Sequence, residues 1–293
     1  MNSANNSNNN EKALEVRTHD IPIADAMTEF MKEGWAPSPL DGVNPHPSIP
    51  FTKIRREKLS KQYPGSRLIF PSGSLKIRSN DSDYPFRAHS AYSWFTGIVA
   101  SDCVPDSLFV MEPNGAGHDA LLFIHPRSPR NNDEFYKNAR HGEFWIGRRM
   151  TLEETETKYA LKVVQIESIE EFLANKKETL IIRGEDKKLD QLVTESEEKE
   201  KEFLNFTSLM RIVKDQYEID EMQKAIDASV RGFADMVRVF PAATSVVRGE
   251  RVIESAFYGR ARLEGNENGY PSIVASGAHA CVLHWIKNDG DVL

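Results

Sequence analysis

From Lys214 the chain reads KDQYEIDEMQKAIDASVRGFADMVRVF, and this run constrains the fold more than any other. Ile219, Met222, Ile226, Val230, Phe233, Val237 and Phe240 recur at three- and four-residue spacing, the pattern of a helix with one buried apolar stripe. Pro241 is expected to end it. Such a stripe needs a core to pack against. A second helix near Arg251–Leu263, with Val252, Ile253, Ala256, Phe257 and Leu263 inward, supplies one layer. The turn GNENGY then leads to two strand-like runs, SIVASG and CVLHW. Two helices before a strand pair are the start of an α+β domain that the chain leaves incomplete.

Upstream, a different pattern occupies Phe51 to Gly184. SRLIF, DSLFVMEP, ALLFIHP, KVVQI and ETLIIRG are apolar runs of strand length. Helical segments lie between several of them: FTKIRREKLSKQY, TLEETETKYAL with Thr151 as its N-cap, and SIEEFLANK with Ser168 and Glu171 as a capping box. Alternating strands and helices make this an α/β domain. GAGHDA (Gly115–Ala120) fits a dinucleotide fingerprint on paper, but a strand follows it instead of the required helix, so it reads as a hairpin turn. The charged stretch GEDKKLDQLVTESEEKEKEFLNF reads as a helical bridge between the domains. Residues 1–50 open with NSANNSNNN, which cannot bury apolar surface. They continue through a short amphipathic helix near Ile23–Gly34 into a proline-rich stretch, and are expected to be disordered or to extend along the first domain.

Composition excludes some function classes. A net charge of −7 argues against a nucleic-acid partner, and the most basic stretch, KIRREKLSK, reads as the solvated face of a helix. Two cysteines, Cys103 and Cys281, cannot build a disulfide framework and fit a reducing compartment. No signal-peptide core or membrane-length apolar run is present, so the expected location is cytoplasmic, with no membrane partner. The eight histidines show no local ligand spacing, and H-E-x-x-H, CxxC, G-x-S-x-G and Walker A motifs are missing. Two stretches resist a bland reading. RSNDSDYPFRAHSAYSWFTGI (Arg78–Ile98) is costly to order unless it packs onto something, its carboxylates pairing with Arg78 and Arg87 in the structural reading. The other is the chain end, where His284 sits between Leu283 and Trp285.

These residues carry a resemblance. RSNDSDYPFR, FTG and EFWIGRR (Glu143–Arg149) resemble the N-terminal domain of aminopeptidase P. MRIVKDQYEIDEMQKAIDAS is similar to that family's inter-domain hinge and first catalytic helix, and YPSIVASGAHACVLHW to its active-site strand pair, in the same order. The resemblance implies an α/β N-terminal domain with linker over 51–206 and, over 207–293, the start of a pita-bread metallopeptidase domain. It implies a homo-oligomeric Xaa-Pro aminopeptidase that acts on peptides with proline at the second position, through two Mn²⁺ ions held by two aspartates, a histidine and two glutamates. Paired hard metals generate a nucleophile at neutral pH and clamp both oxygens. A prolidase-type dipeptidase and a non-catalytic pita-bread binding protein remain the alternatives.

The same resemblance places the first metal-binding aspartate just beyond KNDGDVL, so Asp289 and Asp291 fall in the turn before it and are rejected as ligands. No metal ligand is expected within the chain, which on its own should be inactive. Two positions carry over. His284 matches a histidine that contacts the substrate or intermediate without ligating metal, against a buried histidine bonded to a backbone carbonyl. Trp145 matches a substrate-pocket aromatic that reaches a neighbouring subunit in oligomeric members, against ordinary core packing.

Overall fold

A computed structural model describes residues 24–40, 42–80 and 82–293. The asparagine-rich start of the chain lies outside the described residues, as does Asp81 of the polar loop. The described residues divide into two compact units, with the boundary between Val213 and Lys214.

In the first unit a five-stranded sheet is flanked by helices. Strands β1 (Arg67–Pro71), β4 (Leu108–Pro113) and β5 (His118–Ile124) form an antiparallel centre, and β2 (Ile77–Ser79) with β3 (Ser82–Asp83) forms a separate hairpin. β6 (Lys162–Gln165) and β7 (Thr179–Ile181) add parallel edges, giving the order β6-β5-β4-β1-β7. The alternating strands and helices thus yield an α/β unit whose sheet is mixed. All five β1 residues are buried, as a central strand covered on both faces requires. One face carries Leu68, Phe70, Phe109, Met111 and Leu122. The other carries Ile69, Leu108, Val110, Leu121 and Phe123. Residues 114–117 turn the chain between β4 and β5, where Asn114 Oδ1 accepts from the Ala116 and Gly117 amides, so GAGHDA is a hairpin.

Helix α1 (Asp25–Lys32) precedes the proline-rich stretch, and α2 (Ile49–Gln62) follows it with Pro50 in its first turn. The basic stretch of α2 is a solvated face only in part: Lys53, Glu57, Lys58 and Lys61 are exposed, but its two arginines are not. Arg55 and Arg56 are buried and donate to the carbonyls of Trp94 and Phe95, each at 2.7 Å. Those carbonyls lie at the end of α3 (Ser90–Thr96), where unpaired C=O groups and the helix dipole favour cations. Gly97 closes α3 at φ +79°, and a Cβ there would overlap Ser48 Oγ, so glycine is required on both counts. The stretch 78–98 is thereby ordered by a hairpin and a helix, and Arg87 donates to Ser90 Oγ at 3.2 Å.

Two short helices follow β5, α4 (Glu134–Lys137) and α5 (Glu143–Ile146). In α6 (Leu152–Tyr159) Thr151 and Glu154 complete a capping box. Thr151→Ala is expected to lower first-unit stability by about 1 kcal/mol in urea unfolding. The second box is not formed. Before α7 (Ile169–Ala174), Ser168 has helical backbone angles and its hydroxyl donates back to Gln165 O at 2.7 Å, because a 3-10 turn precedes the helix. Past α8 (Lys187–Leu192), the charged bridge corrects in the same way. In α9 (Glu197–Met210) Phe203 is fully buried against Tyr63 and Phe70, and Arg183 holds the buried Glu200. Phe203, Phe206 and Met210 form an apolar stripe among the charges, which makes α9 part of the first unit's core.

The second unit holds α10 (Gln216–Ala243) and α11 (Gly249–Glu264), and no strand among its described residues. Its buried apolar residues are Ala243, Ile253 and Val292. Ile219, Met222, Ile226, Val230, Phe233, Val237 and Phe240 were expected in one buried stripe, yet they are 47–73% exposed. The two helices instead meet through Gly232, where a Cβ would strike the Phe257 ring, and through Phe233 edge-on to Phe257. Leu263 is likewise exposed, and α10 runs past Pro241 to Ala243. SIVASG and CVLHW are not strands. The first is irregular, Gly277–Cys281 is a 3-10 turn, and the groups that would build a ladder are occupied elsewhere. No helix among the described residues is long and apolar enough to cross a membrane.

Candidate functional site

The chemistry-bearing residues of the second unit gather where α11 begins. Arg248 enters with φ +60°, its amide donates to Asp291 Oδ1 at 2.8 Å, and the Glu250 amide donates to Gly290 O at 3.1 Å. These two bonds anchor the chain end against the first turn of the helix. Asn288, also buried, fastens the preceding stretch. Its Oδ1 accepts from the Val274 amide at 2.9 Å, and its Nδ2 donates to Glu254 and to Ser272 O.

Glu250 is the centre of this arrangement. Its carboxylate is fully buried and accepts four hydrogen bonds. Oε1 takes the Ser276 amide at 2.8 Å and His279 Nδ1 at 3.1 Å. Oε2 takes the Trp285 indole and the Gly290 amide, each at 2.8 Å. The His279 and Trp285 rings stack with centroids 3.8 Å apart. A Cβ at residue 290 would collide with the His279 ring and the Glu250 carboxyl, so only glycine fits there. Burial pushes the Glu250 pKa up, but the Trp285, Ser276, Gly290 and His279 donors outweigh it and hold it at about 2.

The sign of the resulting pH dependence follows from that depression. A carboxyl whose folded pKa is about 2 against 4.5 when free contributes full stability above 4.5 and loses it as pH falls toward 2. Protection of residues 274–290 against hydrogen exchange, relative to the intrinsic rate at each pH, is expected to fall across that window. Constant protection from pH 5 to 2 would contradict the assignment.

His284 lies in this segment but is not buried. Its ring is exposed, and its backbone carbonyl accepts from the Ile286 amide at 2.9 Å. The buried, carbonyl-bonded alternative therefore fails, and so does the strand context, because the segment is held by Glu250 and Asn288 instead of a ladder. Trp145 lies in the first unit on α5, half exposed, with its indole N–H donating to Tyr136 O at 2.6 Å. The structure does not bring the two residues into one constellation within either unit. Glu250, His279 and Asn288 carried no spacing signal in the sequence. A carboxylate at the start of a helix reads as an ordinary dipole partner.

A two-metal centre can be tested against the donors present. Among the described residues no group of three or more His, Cys, Asp or Glu side chains could hold a metal ion. Glu250 is spent on its four donors, Asp291 accepts from Arg248, and Asp289 is exposed. The residues present do not fit the paired metal.

Residues 52–182 match the family model of the aminopeptidase P N-terminal domain. The chain is 41% identical to Xaa-Pro aminopeptidase 1 of Streptomyces coelicolor over 273 residues, covering 92% of this chain and 54% of that protein. It is 42% identical to Xaa-Pro aminopeptidase 2 of the same organism, covering 91% of this chain and 56% of that protein. In fold it is similar to Escherichia coli aminopeptidase P in its low-pH form, with a TM-score of 0.66, 22% identity, and coverage of 82% of this chain and 56% of that one. The fold and these matches define an α/β protein of the aminopeptidase P type. The chain belongs to the aminopeptidase P family and spans about half the length of the curated relatives it matches.

Proposed function

We propose that this chain is the N-terminal portion of a Xaa-Pro aminopeptidase, a peptide hydrolase that releases the residue before proline. One observation carries the proposal: 41% identity to a Xaa-Pro aminopeptidase, sustained over 92% of the chain. The peptide bond before proline lacks an N–H, so an enzyme for it gains from a dedicated pocket. In this reading Mn²⁺ is the metal, and its ligands lie in the part of the relatives that this chain does not span. The enzyme acts as a homo-oligomer in the cytoplasm.

His284 and Trp145 take the two roles available to the described residues. An exposed imidazole can donate an N–H to a substrate carbonyl as charge develops on its oxygen. The half-exposed face of Trp145 offers an apolar wall, with its indole N–H already anchored to Tyr136. Glu250 holds the segment that carries His284.

An assay of residues 1–293 with Mn²⁺ and an Ala-Pro-Ala peptide is expected to show no release of alanine. Turnover by these residues alone would contradict the placement of the ligands. In a polypeptide that continues past Leu293, a preference for tripeptides over Xaa-Pro dipeptides separates an aminopeptidase from a prolidase.

A further inference from the structure

The turn that carries Trp145 is built inside out. Of the four residues of α5, Glu143 is buried, whereas Phe144, Trp145 and Ile146 are 47–54% exposed. Charge outside and hydrocarbon inside is the ordinary arrangement, so the inversion needs a cause. A helix of one turn also has too few hydrogen bonds to hold its own shape. Neighbouring groups fix it instead. Gly142, just before it, lies so close to the Glu134, Phe135 and Asn138 carbonyls that a Cβ would sit 2.5–2.7 Å from their oxygens.

Glu143 supplies the charged tie. Its Oε2 accepts from Arg127 Nε at 2.7 Å, and its Oε1 accepts from Arg130 Nη2 at 2.7 Å and Nε at 3.2 Å. Burial pushes the Glu143 carboxyl pKa up, but the two guanidinium groups outweigh it and hold it below its ordinary value. Both arginines are themselves held in place, each donating an Nη2–H to Ser38 Oγ at 2.7 Å. A buried carboxylate with two such donors is a strong, directional anchor. It draws residue 143 inward and leaves the apolar residues after it facing outward. With the backbone so set, the Trp145 amide donates to Gly142 O at 3.0 Å and its indole N–H reaches Tyr136 O at 2.6 Å.

We infer that Glu143 is a positioning residue for Trp145: its ion pairs with Arg127 and Arg130 fix α5 so that the apolar face of the tryptophan is presented to substrate. The inference rests on the proposed assignment of Trp145 to substrate contact, and its first test needs no activity. The chain has four tryptophans, Trp35, Trp94, Trp145 and Trp285, so 5-fluorotryptophan labels residues 1–293 for fluorine NMR, with the Trp145 line identified by Trp145→Phe. Glu143→Gln is expected to move the Trp145 line and leave those of Trp94 and Trp285 in place, and Glu143→Asp to return it most of the way. Arg127→Lys, which loosens the pair from its other side, is the second probe and is expected to move the same line. In the polypeptide that continues past Leu293, Glu143→Gln is expected to raise KM for Ala-Pro-Ala about tenfold and to change kcat by less than about twofold, the pattern of lost binding without lost chemistry. In a Trp145→Ala background the same substitution is expected to add nothing, whereas a defect that bypassed Trp145 would add its full effect. A Trp145 line unmoved by Glu143→Gln and Arg127→Lys, or equal effects of Glu143→Gln on KM in the two backgrounds, would overturn the positioning role. An unchanged KM in Trp145→Ala alone would overturn the substrate contact on which the inference rests, a failure that the fluorine spectrum tells apart from that of the positioning role.

Discussion

Glu250→Ala is expected to release residues 274–290 from the second unit and to lower that unit's stability by about 3–5 kcal/mol. The substitution removes the acceptor of four donors at once, two of them backbone amides. Each donor left buried and unpaired costs about 1–3 kcal/mol, and water can recover some of the four by entering. The unit has little else to resist the loss, since its buried apolar residues are Ala243, Ile253 and Val292. Trp285 is the sole tryptophan past Val213, so its fluorescence, with hydrogen exchange over 274–290, reports the change locally. Glu250→Gln keeps one carbonyl acceptor but points an amide N–H₂ at donors, so an intermediate loss is expected. Unchanged protection of 274–290 in the alanine variant would remove Glu250 as the organiser of this segment.

Phe203→Ala is expected to cost the first unit about 3–5 kcal/mol in chemical unfolding, the usual range for deleting a buried phenylalanine side chain. Phe203 is fully buried, with ring centroids 5.3 Å from both Tyr63 and Phe70. A bridge helix lying in solvent would lose under 0.5 kcal/mol from the same change. The experiment therefore distinguishes a core helix from a linker, and Leu204→Ala, on the exposed side of α9, is the matched control.

Much of the first unit was legible in the sequence because its signals are local. Strand-length apolar runs became β1, β4, β5, β6 and β7, and Thr151 capped α6 as its pattern requires. Where the reading failed, partners distant in sequence decided the outcome. Arg55 and Arg56 were taken as solvated because charge usually means exposure, yet helix-end carbonyls 39 residues away bury them. The charged background of 184–206 concealed Phe203 and Phe206, which dock α9 together with Met210.

In the second unit the same dependence acts in reverse. The spacing from Ile219 to Phe240 does form a helix, but spacing cannot provide a surface for its stripe to cover. The two expected strands have the right composition and no partner strand, so their segment folds around Glu250 and Asn288. His284 was singled out by resemblance, and its exposed position could not be read from the apolar residues beside it. Glu250 was missed because it is defined by what surrounds it in three dimensions.

The proposed function rests on the family and on the assignment of this chain to the N-terminal half of a larger hydrolase. Release of alanine from Ala-Pro-Ala in Mn²⁺ by the polypeptide that continues past Leu293, compared with residues 1–293, tests it most directly. The expected result is chelator-sensitive release by the longer polypeptide, no release by residues 1–293, and no cleavage of Ala-Ala-Ala by either. A longer polypeptide inert toward Ala-Pro-Ala, or equal turnover by the two, would contradict the account.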